Sequence, residues 1–226
     1  MRTVGVRRRV ALLAVLLLIA APACSSDTPA NTDQADSVNQ PLNGRNPKGL
    51  VGAVEQSPAT PKPSFVLTDT SGAAFDLAKA TSGAVTLLYF GYTHCPDVCP
   101  TTMADIGAAY RSLAPDIAAN IKVVFVTTDP ERDTAPVLRA WLDHFGASFT
   151  GLTGTVAQVN SALDSMGLPP IVKEPTSDGD YTVGHVSVVY AFTGDDLAHV
   201  VFTDGVATDR IAHDMKLLVG GWPLAP

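Results

Sequence analysis

Two cysteines with three residues between them, Cys95 and Cys99, are the side chains of this sequence best suited to chemistry. They lie in the segment GYTHCPDVCP, residues 91–100, which directly follows an apolar run at residues 84–90. Two thiols at this spacing either cycle between dithiol and disulfide or hold a soft metal ion. A purely structural disulfide is less favoured, because a bridge across so short a loop removes little entropy from the unfolded chain.

The flanking elements are predicted to position both thiols where a buried strand leads into a helix. The continuous apolar run at residues 84–90 is typical of a strand buried on both faces. Residues 101–113 carry apolar side chains at helical spacing, and Pro100 suits a first helical position. The N-terminus of a helix offers free N–H groups and a positive dipole end, so a thiol located there ionises more easily.

The remaining patterns predict an α/β fold, with a central mixed sheet flanked by helices. Segments 65–67 and 73–77 are expected to form a β-hairpin at the start of the domain. Further strands are expected over residues 121–127, 186–192 and 198–202, and further helices after a cap at Asp133 or Thr134, over residues 156–166 and after Thr208. Because buried strands alternate with helices before a final hairpin, helices should cover both faces of the sheet.

The first 63 residues predict export and a tether rather than a packed domain. Residues 1–23 combine four arginines, an apolar stretch and small residues before a cleavage point, as in a secretory signal peptide. Cys24 follows, and lipid modification there would anchor the protein to the membrane; the alternative is a secreted protein with a free Cys24. Residues 24–63 are polar and lack apolar periodicity, which is typical of a disordered tether. The folded domain is therefore expected over residues 64–226.

The charge of the chain argues against nucleic acid as a partner. The sequence has 15 basic and 22 acidic residues, a net charge of −7. Cleavage of the signal removes four arginines and no acidic residue, which leaves 11 against 22 and a charge near −11. Such a chain has no electrostatic basis for binding a phosphate backbone.

The segment GYTHCPDVCP closely resembles the cysteine motif of the Sco/SenC family. Three further segments extend this resemblance in order along the chain: TDPERDT at residues 128–134, FTGLTG at 149–154 and YTVGH at 181–185. The resemblance implies a thioredoxin-like fold with added elements. It also implies a copper-carrying function directed to the Cu(A) site of cytochrome c oxidase.

Carried over residue by residue, the resemblance makes Cys95, Cys99 and His185 the copper ligands, and Cys95–Cys99 the disulfide of the oxidised protein. Two thiolates select Cu(I), and an imidazole extends the affinity to Cu(II). Without the resemblance, a single histidine before a β-run would more often be a structural residue.

The chain departs from the family pattern on both sides of the histidine. Gly184 stands where the family usually has an aspartate, and Val186 stands where it often has serine or threonine. Outer hydrogen bonds orient a metal-binding imidazole, so these departures bear on affinity and on the Cu(II) state. Asp97 and Asp129 are candidates for such outer groups, although Asp97 also suits a plain turn.

Two functions are consistent with these residues. The first is a lipid-anchored copper metallochaperone on the extracytoplasmic face of the cell membrane. Its partners would be the copper-binding subunit of the oxidase and other copper or thiol carriers. The second is a thiol–disulfide oxidoreductase in which Cys95 attacks a substrate disulfide and Cys99 resolves the intermediate. His185 separates the two, because an oxidoreductase does not need it.

Overall fold

Strands and helices alternate along the computed structural model, which describes residues 49–177 and 179–224. The elements are β1 Val54–Pro61, β2 Val66–Asp69, β3 Ala74–Asp76, α1 Leu77–Ala80, β4 Val85–Gly91, α2 Val98–Arg111, α3 Pro115–Ala119, β5 Ile121–Thr127, α4 Ala135–Asp143, β6 Thr150–Thr153, α5 Val156–Asp164, β7 Val172–Pro175, β8 Tyr181–Gly184, β9 Val188–Phe192, β10 Leu197–Thr203 and α6 Thr208–Val219. Within the described ranges, none of these helices has the length and hydropathy needed to cross a bilayer.

Eight of the strands form one mixed sheet, in the order β1-β10-β9-β4-β5-β6-β2-β3. The central strands β4, β5 and β6 run parallel, and β4 pairs with β9 antiparallel. The predicted hairpin is present as β2 and β3, which pair antiparallel. Strands β7 and β8 form a separate two-stranded sheet. The prediction of a central mixed sheet is therefore confirmed.

Strand β4 explains why the sheet has helices on both faces. All its residues are buried, and successive side chains point to opposite sides. Leu87 and Tyr89 join a core cluster with residues of α2, α4 and α6, whereas Leu88 and Phe90 join a second cluster with residues of α1 and α5. The two apolar clusters confirm the predicted layers.

The predicted boundary of the tether at residue 63 is wrong. Strand β1 lies within the predicted tether and pairs antiparallel with β10. Residues 51–53, which directly precede β1, donate backbone hydrogen bonds at 2.7–2.9 Å to the buried carboxylate of Asp214. Backbone bonds to distant partners hold this polar segment, so it needs little apolar side-chain pattern of its own. The rest of the tether, the signal peptide and Cys24 lie outside the described residues.

Two differences at element boundaries affect the candidate site. Helix α2 begins at Val98 rather than near Pro100, so Cys99 lies in its first turn. Strand β9 begins at Val188 rather than at residue 186, so the histidine of the YTVGH segment follows β8 and lies outside the main sheet. The hairpin of β7 and β8 was not predicted from the sequence, because its strands are short and largely exposed.

Candidate metal centre

The two cysteines lie between the end of β4 and the first turn of α2. Cys95 is 8% exposed and Cys99 is fully buried, and both are free thiols. A Cβ atom at Gly91 would lie 2.7 Å from Cys99 Sγ, so the last residue of β4 must be glycine to leave room for the sulfur. The backbone N–H of Cys99 donates to Cys95 Sγ at 3.5 Å, which is the interaction expected at a helix N-terminus.

His185 reaches the same point from the hairpin. Its Nε2 atom lies 3.3 Å from Cys99 Sγ and 3.9 Å from Cys95 Sγ. The ligand atoms of all three residues lie within 4.8 Å of one another. The structure thus brings together the three residues that the sequence singled out, although they come from separate elements.

Two tyrosines line this cluster, and neither was predicted as a site residue. Tyr89 donates a hydrogen bond from its hydroxyl to Cys99 Sγ at 3.6 Å. The rings of Tyr89 and Tyr92 meet the His185 imidazole edge to face, with centroids 6.1 and 5.7 Å apart. The apolar run of β4 indicated that Tyr89 is buried, but it carries no signal that this ring faces the site.

The surroundings make the two thiols electrostatically unequal. A hydrogen bond from the Cys99 thiol, assisted by backbone N–H groups and against the effect of burial, lowers the pKa of Cys95 to about 4. The same hydrogen bond, together with burial, raises the pKa of Cys99 above its ordinary range. The less buried Cys95 is therefore the thiolate, and Cys99 is the protonated partner in the metal-free protein.

This inequality predicts the pH dependence of alkylation in the reduced, metal-free protein. Iodoacetamide should modify Cys95 first, with a rate that rises through a midpoint near pH 4 instead of the ordinary 9.0 for a thiol. Because folding lowers this pKa, the thiolate stabilises the fold most above pH 9.0, and the contribution disappears as the pH falls towards 4. Mass spectrometry of the labelled peptides would check the order; modification of Cys99 first, or a midpoint near 9, would contradict it.

The outer environment of the imidazole reflects the departures in sequence. His185 Nδ1 is buried and has no hydrogen-bond partner among the residues that the structure describes. Gly184 has no side chain to offer, and Val186 has no polar group. Asp97 is the N-cap residue of α2, but its exposed side chain makes no capping bond. The two buried aspartates near the site, Asp129 and Asp133, instead follow β5.

Asp133 joins the cysteine loop to the end of β5. Its carboxylate is fully buried and accepts hydrogen bonds from Thr93 N at 2.9 Å, Thr93 Oγ1 at 2.5 Å and Thr127 Oγ1 at 2.6 Å. It does not cap α4, because the N-cap position belongs to Thr134, whose side chain makes no capping bond. The parallel pairing of β4 with β5 could have indicated this contact, since it brings the loops after both strands to one edge.

Asp129 acts on the hairpin rather than on the metal ligands. Its carboxylate accepts a hydrogen bond from the Tyr181 hydroxyl at 3.0 Å and is paired with Arg132. Arg132 also bonds Asp180 at 2.8 Å. Asp129 was predicted as a group near the metal, whereas Tyr181 and Arg132 were not singled out, because their contacts span about 50 residues of sequence.

Comparison with known proteins identifies the family. The family model described as SCO1/SenC matches residues 53–220. The chain is 34% identical to Bradyrhizobium japonicum ScoI, whose structure has copper bound, with a TM-score of 0.61 over 71% of this chain and 99% of that one. It is 27% identical to copper-bound yeast Sco1, with a TM-score of 0.62 over 73% of this chain and 91% of that one.

Curated relatives extend the match to other lineages. The chain is 35% identical to the mitochondrial SCO1 homolog 1 of Arabidopsis thaliana over 112 residues, 50% of this chain and 33% of that protein. It is 35% identical to a SCO2-like protein of Rickettsia felis over 127 residues, 56% of this chain and 61% of that protein. The matched segment thus spans less than two thirds of either relative. A thioredoxin-like α/β domain is confirmed, and the chain belongs to the SCO1/SenC family.

Proposed function

We propose that this protein is a membrane-tethered, extracytoplasmic metallochaperone that delivers copper to the Cu(A) site of cytochrome c oxidase. The observation that carries the proposal is the convergence of Cys95, Cys99 and His185 within 4.8 Å. Two sulfurs and one imidazole nitrogen form a soft donor set, which suits Cu(I) better than the harder divalent ions. The copper-bound structures of two relatives support the same choice of metal.

The arrangement of the ligands suits release as well as binding. Three ligands leave copper with an open coordination position that a thiolate of a partner can occupy. Cys95 is the more accessible cysteine and is stable as a thiolate, so it is the ligand that an incoming thiolate replaces. A partner thiol first loses its proton to solvent. Its thiolate then forms one copper–sulfur bond as the bond to Cys95 breaks, Cys95 leaves as a thiolate, and the copper keeps its oxidation state.

The tether is part of the proposal and is supported by the sequence alone. Cys24 follows a signal peptide and would carry the lipid. The polar composition of residues 25–48 suits a tether between this lipid and the described domain. A tethered domain would remain close to a membrane-bound oxidase subunit.

Copper transfer tests the function directly. The full-length protein, loaded with one Cu(I), is mixed with the copper-free soluble domain of an oxidase copper-binding subunit. We expect the visible absorption of the Cu(A) centre to appear under mild oxidation. His185→Ala should deliver less copper to the oxidase domain, and the absorption should be weaker. Failure of the loaded protein to transfer copper, under conditions in which a small-molecule Cu(I) complex fills the same domain, would exclude the chaperone function.

A thiol–disulfide oxidoreductase is the second candidate, and the unequal thiols favour it. The Cys95 thiolate would attack a substrate disulfide, forming a mixed disulfide and releasing one substrate thiolate. Cys99 would then attack Cys95 Sγ, which releases the second thiolate and leaves the Cys95–Cys99 disulfide. An external dithiol must restore the enzyme. This activity should persist in His185→Ala, whereas the affinity for copper should fall in that variant.

A further inference from the structure

The hairpin that ends at His185 is not part of the main sheet. Strands β7 and β8 pair with each other, in a two-stranded sheet separate from the eight-stranded one. An isolated hairpin is marginally stable in water, so contacts with neighbouring elements must fix its position. Whatever fixes it also fixes the place of the third ligand relative to the two sulfurs.

Val183 of β8 is buried in the main core, and a side-chain cluster of Asp129, Arg132 and Tyr181, called here the hairpin clamp, adds polar contacts. Asp129 is fully buried, and its two carboxylate oxygens face different partners: Oδ1 accepts from the Tyr181 hydroxyl at 3.0 Å, and Oδ2 pairs with Arg132 Nε. The Arg132 guanidinium also lies over the Tyr181 ring, 3.7 Å from its centroid. The cluster therefore joins the loop after β5 to the first residue of β8.

A second contact also joins the loop after β5 to the hairpin, at the protein surface. Lys173 of β7 pairs with Glu131 at 2.6 Å and lies 4.7 Å from the centroid of the Tyr181 ring. This pair is partly exposed, so its contribution is small compared with that of the buried carboxylate. Tyr181 thus takes part in both contacts and is the hairpin residue that joins the buried carboxylate to β8.

The clamp matters for His185 because the imidazole has no outer hydrogen bond of its own. Nδ1 has no partner among the described residues, and the ring is otherwise bordered by Tyr89 and Tyr92. Orientation must therefore come through the backbone of β8 and through these ring contacts. Arg132 also lies 5.9 Å from the centroid of the Tyr92 ring. The clamp therefore contacts both β8, through Tyr181, and one of the two rings that border the imidazole.

We infer that Tyr181, held by Asp129 and Arg132, is a positioning residue that sets where His185 Nε2 lies relative to the two sulfurs. It touches neither sulfur nor metal and acts on copper binding only through His185. The clamp takes the place of the outer hydrogen bond that Gly184 and Val186 cannot supply. This inference rests on the proposed copper site, which it deepens by naming what orients the third ligand.

A double-mutant cycle tests the inference with Cu(I) and a chromophoric chelator as the probe. Tyr181→Phe removes only the hydroxyl and should lower the Cu(I) affinity of the full-length protein on the order of 10-fold, as for other outer groups of metal sites. In a His185→Ala background the same substitution should change the affinity less than about twofold, because the ligand it positions is gone. An equal loss in both backgrounds would assign Tyr181 a general structural role and overturn the inference.

Tyr110→Phe is the matched control. The Tyr110 hydroxyl donates to the Ala118 carbonyl at 3.2 Å, so the control also removes a hydrogen-bonding hydroxyl, but at a distance from the site. It should leave the Cu(I) affinity unchanged in both backgrounds. A loss equal to that of Tyr181→Phe would show that any such deletion perturbs the site, which contradicts a specific role.

A measurement without copper separates this inference from the proposed function. In the reduced, copper-free protein, the imidazole ¹⁵N and ring-proton resonances of His185 should shift in Tyr181→Phe and stay in place in Tyr110→Phe. If the parent binds no copper, the proposed function fails and these resonances alone decide the positioning role. Unchanged His185 resonances in Tyr181→Phe would overturn it.

Discussion

Replacing both cysteines, as Cys95→Ser/Cys99→Ser, should abolish stoichiometric Cu(I) binding by this protein. The two sulfurs are the soft donors of the cluster, and a single imidazole with two hydroxyls offers Cu(I) no comparable site. Serine also preserves the size of each side chain, so the fold should survive. Competition against a chromophoric Cu(I) chelator, with the protein kept fully reduced, measures the effect as loss of one bound copper per chain.

Cys24→Ser provides the control for this experiment. It removes the one cysteine of the sequence outside GYTHCPDVCP and leaves the pair in that segment intact. The full-length variant should therefore retain one Cu(I) with the affinity of the parent. Binding that survives in the double-serine variant, or that is lost in Cys24→Ser, would place the copper elsewhere.

Asp133→Ala should produce the largest loss of stability among the substitutions around the site. Its fully buried carboxylate accepts from Thr93 N, Thr93 Oγ1 and Thr127 Oγ1, and alanine leaves these donors without their acceptor. Each buried polar group left unsatisfied costs about 1–3 kcal/mol, so the free energy of unfolding should fall by about 3–5 kcal/mol. Urea denaturation of the reduced, metal-free protein measures this change.

Asp143→Ala is the comparison for that measurement. Asp143 pairs with Arg139 at 3.0 Å on the exposed surface of α4, so its loss should cost less than about 1 kcal/mol. Since Thr93 lies two residues before Cys95, Asp133→Ala should also weaken Cu(I) binding, whereas Asp143→Ala should not. Equal stabilities of the two variants would show that Asp133 does not hold the cysteine loop to β5.

The parts of the fold that the sequence predicted are those with a local signal. The apolar runs of β4 and β5 indicated buried strands, and both occupy the centre of the sheet. The hairpin of β2 and β3 was predicted from two short strands around a turn. Cys95, Cys99 and His185 were predicted because their motifs are local, although only the resemblance joined the histidine to the cysteines.

The parts that were not predicted depend on contacts between distant residues. Strand β1 looks like a linker, because its backbone bonds to β10 need no apolar pattern. Asp133 looked like a helix cap, and only the parallel packing of β4 on β5 brings it to Thr93. Tyr181 belongs to the YTVGH segment, but nothing in that segment indicated its role, because the role depends on a buried carboxylate 52 residues away.

X-ray absorption at the copper edge, on the full-length protein loaded with one Cu(I), tests the central claim most directly. The arrangement of Cys95, Cys99 and His185 predicts two sulfur scatterers and one nitrogen scatterer around each copper, with the nitrogen lost in His185→Ala. Copper surrounded only by nitrogen or oxygen in the parent protein, or a spectrum unchanged by His185→Ala, would contradict the three-ligand site.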